Sequence, residues 1–208
     1  MAAVDAWPII HEERRALIAD LEPLTDEQWA TPSLCAGWTV HDVLGHMTAT
    51  AKMKPGKFFV KMIGAGFNFN RMAASDVAAE TAGPPAETLA HFKVRLNATN
   101  HPPGPLNAMV GEAVIHSEDI RRPLGIQREY PTEALVTVAD FYKGSNLIVG
   151  AKNRIAGVTL RATDADWSHG SGPEASGPLI SLILAAVGRR AGLDGLTGEG
   201  VATLAGRM

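Results

Sequence analysis

Between Gly111 and Ile120 the chain reads Gly-Glu-Ala-Val-Ile-His-Ser-Glu-Asp-Ile, which sets Glu112 one helical turn ahead of His116. On a helix that spacing stacks a carboxylate and an imidazole on one face, and Asp119 carries the same face a further turn. Leu106, Met109, Ala113 and Ile120 trace an apolar stripe of helical period beside them, so Glu112 and His116 fall on its edge, turned inward. A carboxylate taken out of water needs a partner, and a divalent metal ion suits both residue types. A Glu–His pair of this spacing is also a common structural feature of helix surfaces, so the metal reading needs a third ligand.

His46 is the candidate for that ligand. It sits inside a second helical pattern, Thr39 to Met53, between Val43 and Thr50. Taken alone it reads as a core histidine bonded to a carbonyl. On a helix facing that of Glu112 and His116 it completes a set of two histidines and one carboxylate. Three protein ligands leave coordination positions open, as a catalytic ion requires, whereas a structural zinc is closed by four. Cys35 is the single cysteine, so no disulfide forms within these residues and a reducing, cytoplasmic compartment is expected. With no basic group beside it in sequence, Cys35 reads as a buried small hydrophobe rather than a nucleophile.

The elements that must position these residues follow from periodicity and punctuation. A first helix is expected over Val4–Leu21, with Trp7, His11, Arg14, Ile18 and Leu21 on one face and Pro8 in the opening turn. A short helical turn capped by Thr25 follows, then a loop through Pro32 and Gly37. Thr39 with Asp42 three residues on makes a capping-box-like start for the His46 helix. Short apolar helices are expected around Phe58–Ile63 and Phe67–Ala78, another over Glu87–Leu96, then a rigid Pro-rich loop to Pro105. The Glu112/His116 helix ends near Arg122, where Pro123 stops it. Thr132 to about Gly150 is the next helix. Val158, Leu160 and Ala162 then alternate with Thr159, Arg161 and Thr163, which is strand spacing. Residues 167–177 read as a turn or short hairpin, 179–190 as a strongly apolar helix, and 192–200 as glycine-punctuated turns. The expected architecture is mainly α: an antiparallel four-helix bundle over residues 1–150, then a small α+β region over 151–208. Facing helices of such a bundle can gather distant side chains into its core.

Composition narrows the function classes. Of 208 residues, 20% are charged and 46% hydrophobic, the balance of an ordinary globular protein. A formal net charge of −3 disfavours nucleic acid as the main partner. The longest apolar run, Leu179 to Val187, is too short to span a bilayer, and the N-terminal residues lack the basic and apolar regions of a secretion signal. Gly198-Glu199-Gly200 lacks the context of a phosphate loop.

The segment Leu34-Cys35-Ala36-Gly37-Trp38-Thr39-Val40-His41-Asp42-Val43-Leu44-Gly45-His46-Met47 resembles the start of the second helix in the mycothiol-dependent maleylpyruvate isomerase family. Glu112-x-x-x-His116-x-x-Asp119 is similar to that family's second metal motif, and Gly188-Arg189 with the following Leu193–Gly198 is similar to its C-terminal part. The resemblance implies a DinB-like four-helix bundle, a divalent metal (zinc in the type enzyme) and mycothiol as thiol cofactor. It implies His46, Glu112 and His116 as metal ligands and Arg189 as the cation that holds an anionic substrate. On chemical grounds an arginine nearer the site, such as Arg121, can hold that anion as well, and Asp119 suits a place behind a ligand histidine better than a fourth ligand position, which would close the site. The activity implied is cis–trans isomerisation, in which a thiolate adds to a double bond and later leaves, or S-transfer to a small electrophile. The expected partners are a small-molecule substrate and a low-molecular-weight thiol, with no nucleic acid and no membrane, in a monomer or homodimer. A non-catalytic metal-containing ligand-binding or stress protein of the same fold is the alternative reading, and a plain helical interaction module is a third.

Overall fold

The computed structural model describes residues 5–147 and 149–208. The chain forms two compact units, residues 1–127 and 128–208. In the first, α1 (Ala6–Leu21), α2 (Asp26–Trp29), α3 (Val40–Ala51), α4 (Pro55–Gly64), α5 (Phe69–Glu80), α6 (Pro85–Lys93) and α7 (Asn107–Arg121) follow in order. The expected start of α1 at Val4 lies outside the described residues.

Four helices share the core. Leu17 and Leu21 of α1, Val40, Val43, Leu44 and Met47 of α3, Leu89 and Phe92 of α6 and Ile120 of α7 pack together, with Trp29 of α2 closing one side. Fully burying a side chain of this size is worth about 1.5–3 kcal/mol, so this cluster holds α3 against α1 and α6, with Ile120 tying in α7. The helix starts are set locally. Thr25 and Gln28 form a capping box for α2, and Thr39 and Asp42 form one for α3. Asp42 Oδ2 accepts from the Thr39 backbone N at 2.9 Å and from its hydroxyl at 2.8 Å. α5 packs closely on α3 because Gly45 leaves room: a Cβ there would stand 2.6 Å from Thr81 Cγ2.

Two features of α1 and α7 depart from expectation. The buried face of α1 is Ile10, Glu13, Arg14, Leu17 and Leu21, while Trp7, His11 and Ile18 sit half-buried at its edge. Arg121 is not a substrate-facing cation. It is fully buried, with Nε donating to Asp20 Oδ2 at 2.7 Å and Nη1 lying 3.8 Å from Glu13 Oε2, so it ties α7 to α1.

The second unit contains α8 (Thr132–Gly144), α9 (Ala151–Ile155), β1 (Thr159–Ala162), β2 (Ser168–His169), β3 (Glu174–Gly177), α10 (Leu179–Ala186), a 3-10 turn (Arg190–Gly195) and α11 (Gly200–Ala205). The boundary falls before α8 rather than near residue 150, because α8 packs on α9 and α10. The expected strand is the centre of a three-stranded mixed sheet ordered β2-β1-β3, antiparallel to β2 and parallel to β3. Residues 167–177, read as a turn or hairpin, cross over the start of β1 to pair on both of its edges. That crossing requires glycine: at Gly170 (φ +91°) a Cβ would stand 2.1 Å from the Val158 carbonyl oxygen. α10 is shorter than expected, ending at Ala186, and α11 replaces the end of the glycine-rich turn region. Among the described residues no helix is long and apolar enough to cross a membrane.

Candidate metal centre

The packing of α3 against α7 brings His46 and His116 together, with ring centroids 4.9 Å apart and planes 77° to one another. Trp38, at the end of the loop before α3, also packs on His46, with ring centroids 5.2 Å apart. Glu112 sits one turn before His116. Its Oε1 is buried and has no hydrogen-bond partner among the described residues. Burial pushes the Glu112 carboxyl above its ordinary value, while Arg14 and His116 pull it back.

The two histidines are held in opposite electrostatic states. His46 is pushed down to about 3, first by burial and then by the neighbouring His116, with Asp119 opposing. Burial alone would also strip the proton from His116. The hydrogen bond to Asp119, helped by Cys35 and by the Asp119 charge, overrides it and pushes His116 up to about 10. His116 Nδ1 lies 2.9 Å from Asp119 Oδ2. Donation from Nδ1 to a carboxylate is the arrangement that fixes a ligand histidine's tautomer and presents Nε2 to an ion.

Cys35 belongs to this cluster as well. It is half-buried and packs against the apolar core, but its Sγ also donates to Asp119 Oδ2 at 3.0 Å and lies 3.8 Å from His116 Nδ1. The basic partner absent from its own stretch of sequence comes from α7. Cys35 Sγ, His116 Nδ1 and Asp119 Oδ2 lie within 4.8 Å of one another, so they form a second set that could hold a metal ion. The loop that places Cys35 is self-bonded. Ser33 Oγ accepts from Cys35 N at 3.1 Å and donates to the Trp38 carbonyl at 2.8 Å, and Leu34 N donates to the Asp119 carbonyl at 3.1 Å.

The structure therefore gathers His46 and His116, with Glu112 on the same helix face as His116, and adds Cys35 and Arg14. A Cys-x-Gly-Trp turn just ahead of the His46 helix was the available signal for Cys35. For Arg14 the signal was an arginine in register with Ile10, Leu17 and Leu21. Arg189 stands in the second unit, where its Nη1 donates to the Val187 carbonyl at 3.5 Å and its charge acts on Arg154.

An orphaned carboxylate oxygen and two imidazoles in contact, one oriented through its far nitrogen, are a donor set that fits a divalent ion. Comparison with known proteins agrees in fold. The chain is similar to the crystal structure of the mycothiol-dependent maleylpyruvate isomerase, with a TM-score of 0.66 at 15% identity over 94% of this chain and 92% of that one. A crystal structure of a histidine-to-alanine mutant of that enzyme matches with a TM-score of 0.64 at 14% identity over the same shares. At these identities the likeness establishes the fold. No curated protein sequence matches the chain. The family model described as Mycothiol maleylpyruvate isomerase N-terminal domain matches residues 10–101, a span that includes Cys35 and His46 and stops short of Glu112 and His116. The chain is thus similar to that N-terminal domain over residues 10–101 and shares the fold of the mycothiol-dependent maleylpyruvate isomerase over most of its length.

Proposed function

We propose that the chain is a metal-dependent enzyme that uses mycothiol as thiol cofactor or co-substrate. The reaction is cis–trans isomerisation of a maleylpyruvate-like substrate or transfer of the thiol to a small electrophile. One observation carries the proposal: two imidazoles 4.9 Å apart beside a carboxylate whose buried oxygen lacks a partner among the described residues. An unsatisfied buried polar atom costs about 1–3 kcal/mol, so its retention points to a ligand that satisfies it. His46, Glu112 and His116 would hold the ion, zinc by the resemblance. Bound there, it would stabilise the charged form of a thiol and so make a thiolate available at neutral pH.

The chain's own residues do the positioning. Asp119 accepts from His116 Nδ1 and fixes the ring. Cys35 and the Leu34 backbone N hold Asp119 in turn. Trp38 packs against His46 and limits how its ring can turn. Arg189 is proposed, from the sequence resemblance, to hold the substrate's carboxylate. A second reading takes Cys35, His116 and Asp119 as the ligands, and its support is their mutual approach within 4.8 Å. The two readings use different nitrogens of His116.

The test is metal content per chain together with native mass spectrometry in added mycothiol. One zinc per chain and a mycothiol adduct support the proposal. Metal and adduct without turnover of any substrate would make this a non-catalytic binding protein. A metal-free chain that binds no thiol would make it a structural module.

A further inference from the structure

The bundle core contains a cluster of nitrogens that the metal reading does not use. Arg14, on α1, is 1% exposed. Its Nη1 donates to the carbonyls of Ala98 at 2.9 Å and Arg95 at 3.3 Å, just beyond the end of α6, which fixes the guanidinium plane. Its Nη2 is buried with no acceptor among the described residues, and the same holds for Arg95 Nε and His11 Nε2. His11 lies one turn ahead of Arg14 on α1, and Arg95 supplies one of the carbonyls that hold Arg14, so the three residues adjoin where α1 meets the end of α6. α1 packs along α7, and Glu112 is the charge that acts most on Arg14, yet no ion pair joins them.

A buried guanidinium that points two donors at carbonyls and leaves another without an acceptor is poised for an oxyanion. Nothing in its fold role needs Nη2: the two carbonyls are satisfied by Nη1 alone. A guanidinium with free N–H donors suits the planar, multi-acceptor carboxylate, and an imidazole and a second guanidinium on adjoining residues add donors of the same kind. The buried position makes such a contact both strong and selective, because a neutral group of the same shape would leave the nitrogens unpaired.

We propose that Arg14, with His11 and Arg95 beside it, is an anion-binding subsite of the first unit that receives a carboxylate of the small-molecule substrate. The proposal deepens the functional reading above, resting on it for the class of substrate. It assigns the carboxylate a binding residue within the first unit, independent of Arg189.

The test is maleate binding to the full chain by isothermal titration, with zinc loaded and again after chelation, with maleamide as the neutral control. Wild-type protein should bind maleate and not maleamide in both states, since the subsite is built from protein groups. Arg14→Lys, which keeps the charge and loses the fork, should weaken maleate about tenfold or more. His11→Ala should weaken it several-fold while leaving zinc content unchanged. Circular dichroism checks folding of each variant, and if Arg14→Lys does not fold, His11→Ala and Arg95→Met decide. Wild-type maleate affinity in every folded variant would overturn the subsite, as would equal binding of maleate and maleamide. Arg14-dependent maleate binding by a protein that takes up no zinc when zinc is supplied would sustain the subsite while removing the metal reading.

Discussion

His116 Nδ1 and Asp119 Oδ2 are 2.9 Å apart, joined across one turn of α7 with the carboxylate fully buried. The bond decides which face of the imidazole looks into the core. If Nε2 is the ligand atom, Asp119→Asn should keep zinc but weaken it by about 10–100-fold, the usual cost of losing an outer carboxylate. Competition with a chromogenic chelator measures this directly. Complete loss of zinc in Asp119→Asn, with Cys35→Ser behaving alike, would move the ion to the second donor set.

His46→Ala and Glu112→Gln, set beside Cys35→Ser, separate the same two sets. His46→Ala and Glu112→Gln should abolish stoichiometric zinc, while Cys35→Ser should retain it and retain thiol-dependent turnover. Elemental analysis of the purified variants reads the first, and an assay with added mycothiol reads the second. Full metal occupancy in His46→Ala would sink the assignment of His46.

Zinc binding should release protons. His116, pushed up to about 10, carries its proton at neutral pH, and the Glu112 carboxyl is also raised by burial. An ion that takes either as ligand must displace the proton bound there, so apparent zinc affinity should rise with pH through neutrality up to about 10. Titration in two buffers of different ionisation enthalpy gives the proton count. A count of zero at pH 7 would mean that the ion does not use His116.

Arg121 makes a stability prediction independent of any ligand. Its guanidinium is fully buried between Asp20 and Glu13, and Glu13 is 1% exposed. Arg121→Leu removes the buried cation that Glu13 and Asp20 share, which should cost about 3–5 kcal/mol. Urea unfolding compares the two proteins. A loss below 1 kcal/mol would show that these charges are solvated when the chain is folded.

Much of this arrangement was legible in the chain. Thr39 and Asp42 announce the start of α3, and the spacing of Glu112, His116 and Asp119 announces a face on α7, because both are local patterns. What escaped was contact made by tertiary packing. Cys35 has no base within its loop, and its partners arrive from α7, far along the chain. Arg121 reads as a cation at a helix end, and only the packing of α1 on α7 reveals that it is spent on Asp20 and Glu13. The stretch 167–177 carries too little periodicity to show two strands, since its glycines are there to let one backbone cross another.

The central claim is that the site works with an external thiol. Its most direct test is turnover by zinc-loaded protein, offered maleylpyruvate and a panel of thiol-reactive electrophiles, with mycothiol, with glutathione and with no thiol. The account predicts turnover with mycothiol, little with glutathione, and none without thiol or in His46→Ala. Equal rates in all three conditions would contradict it, and would make the centre that of a thiol-independent metalloenzyme such as a hydrolase.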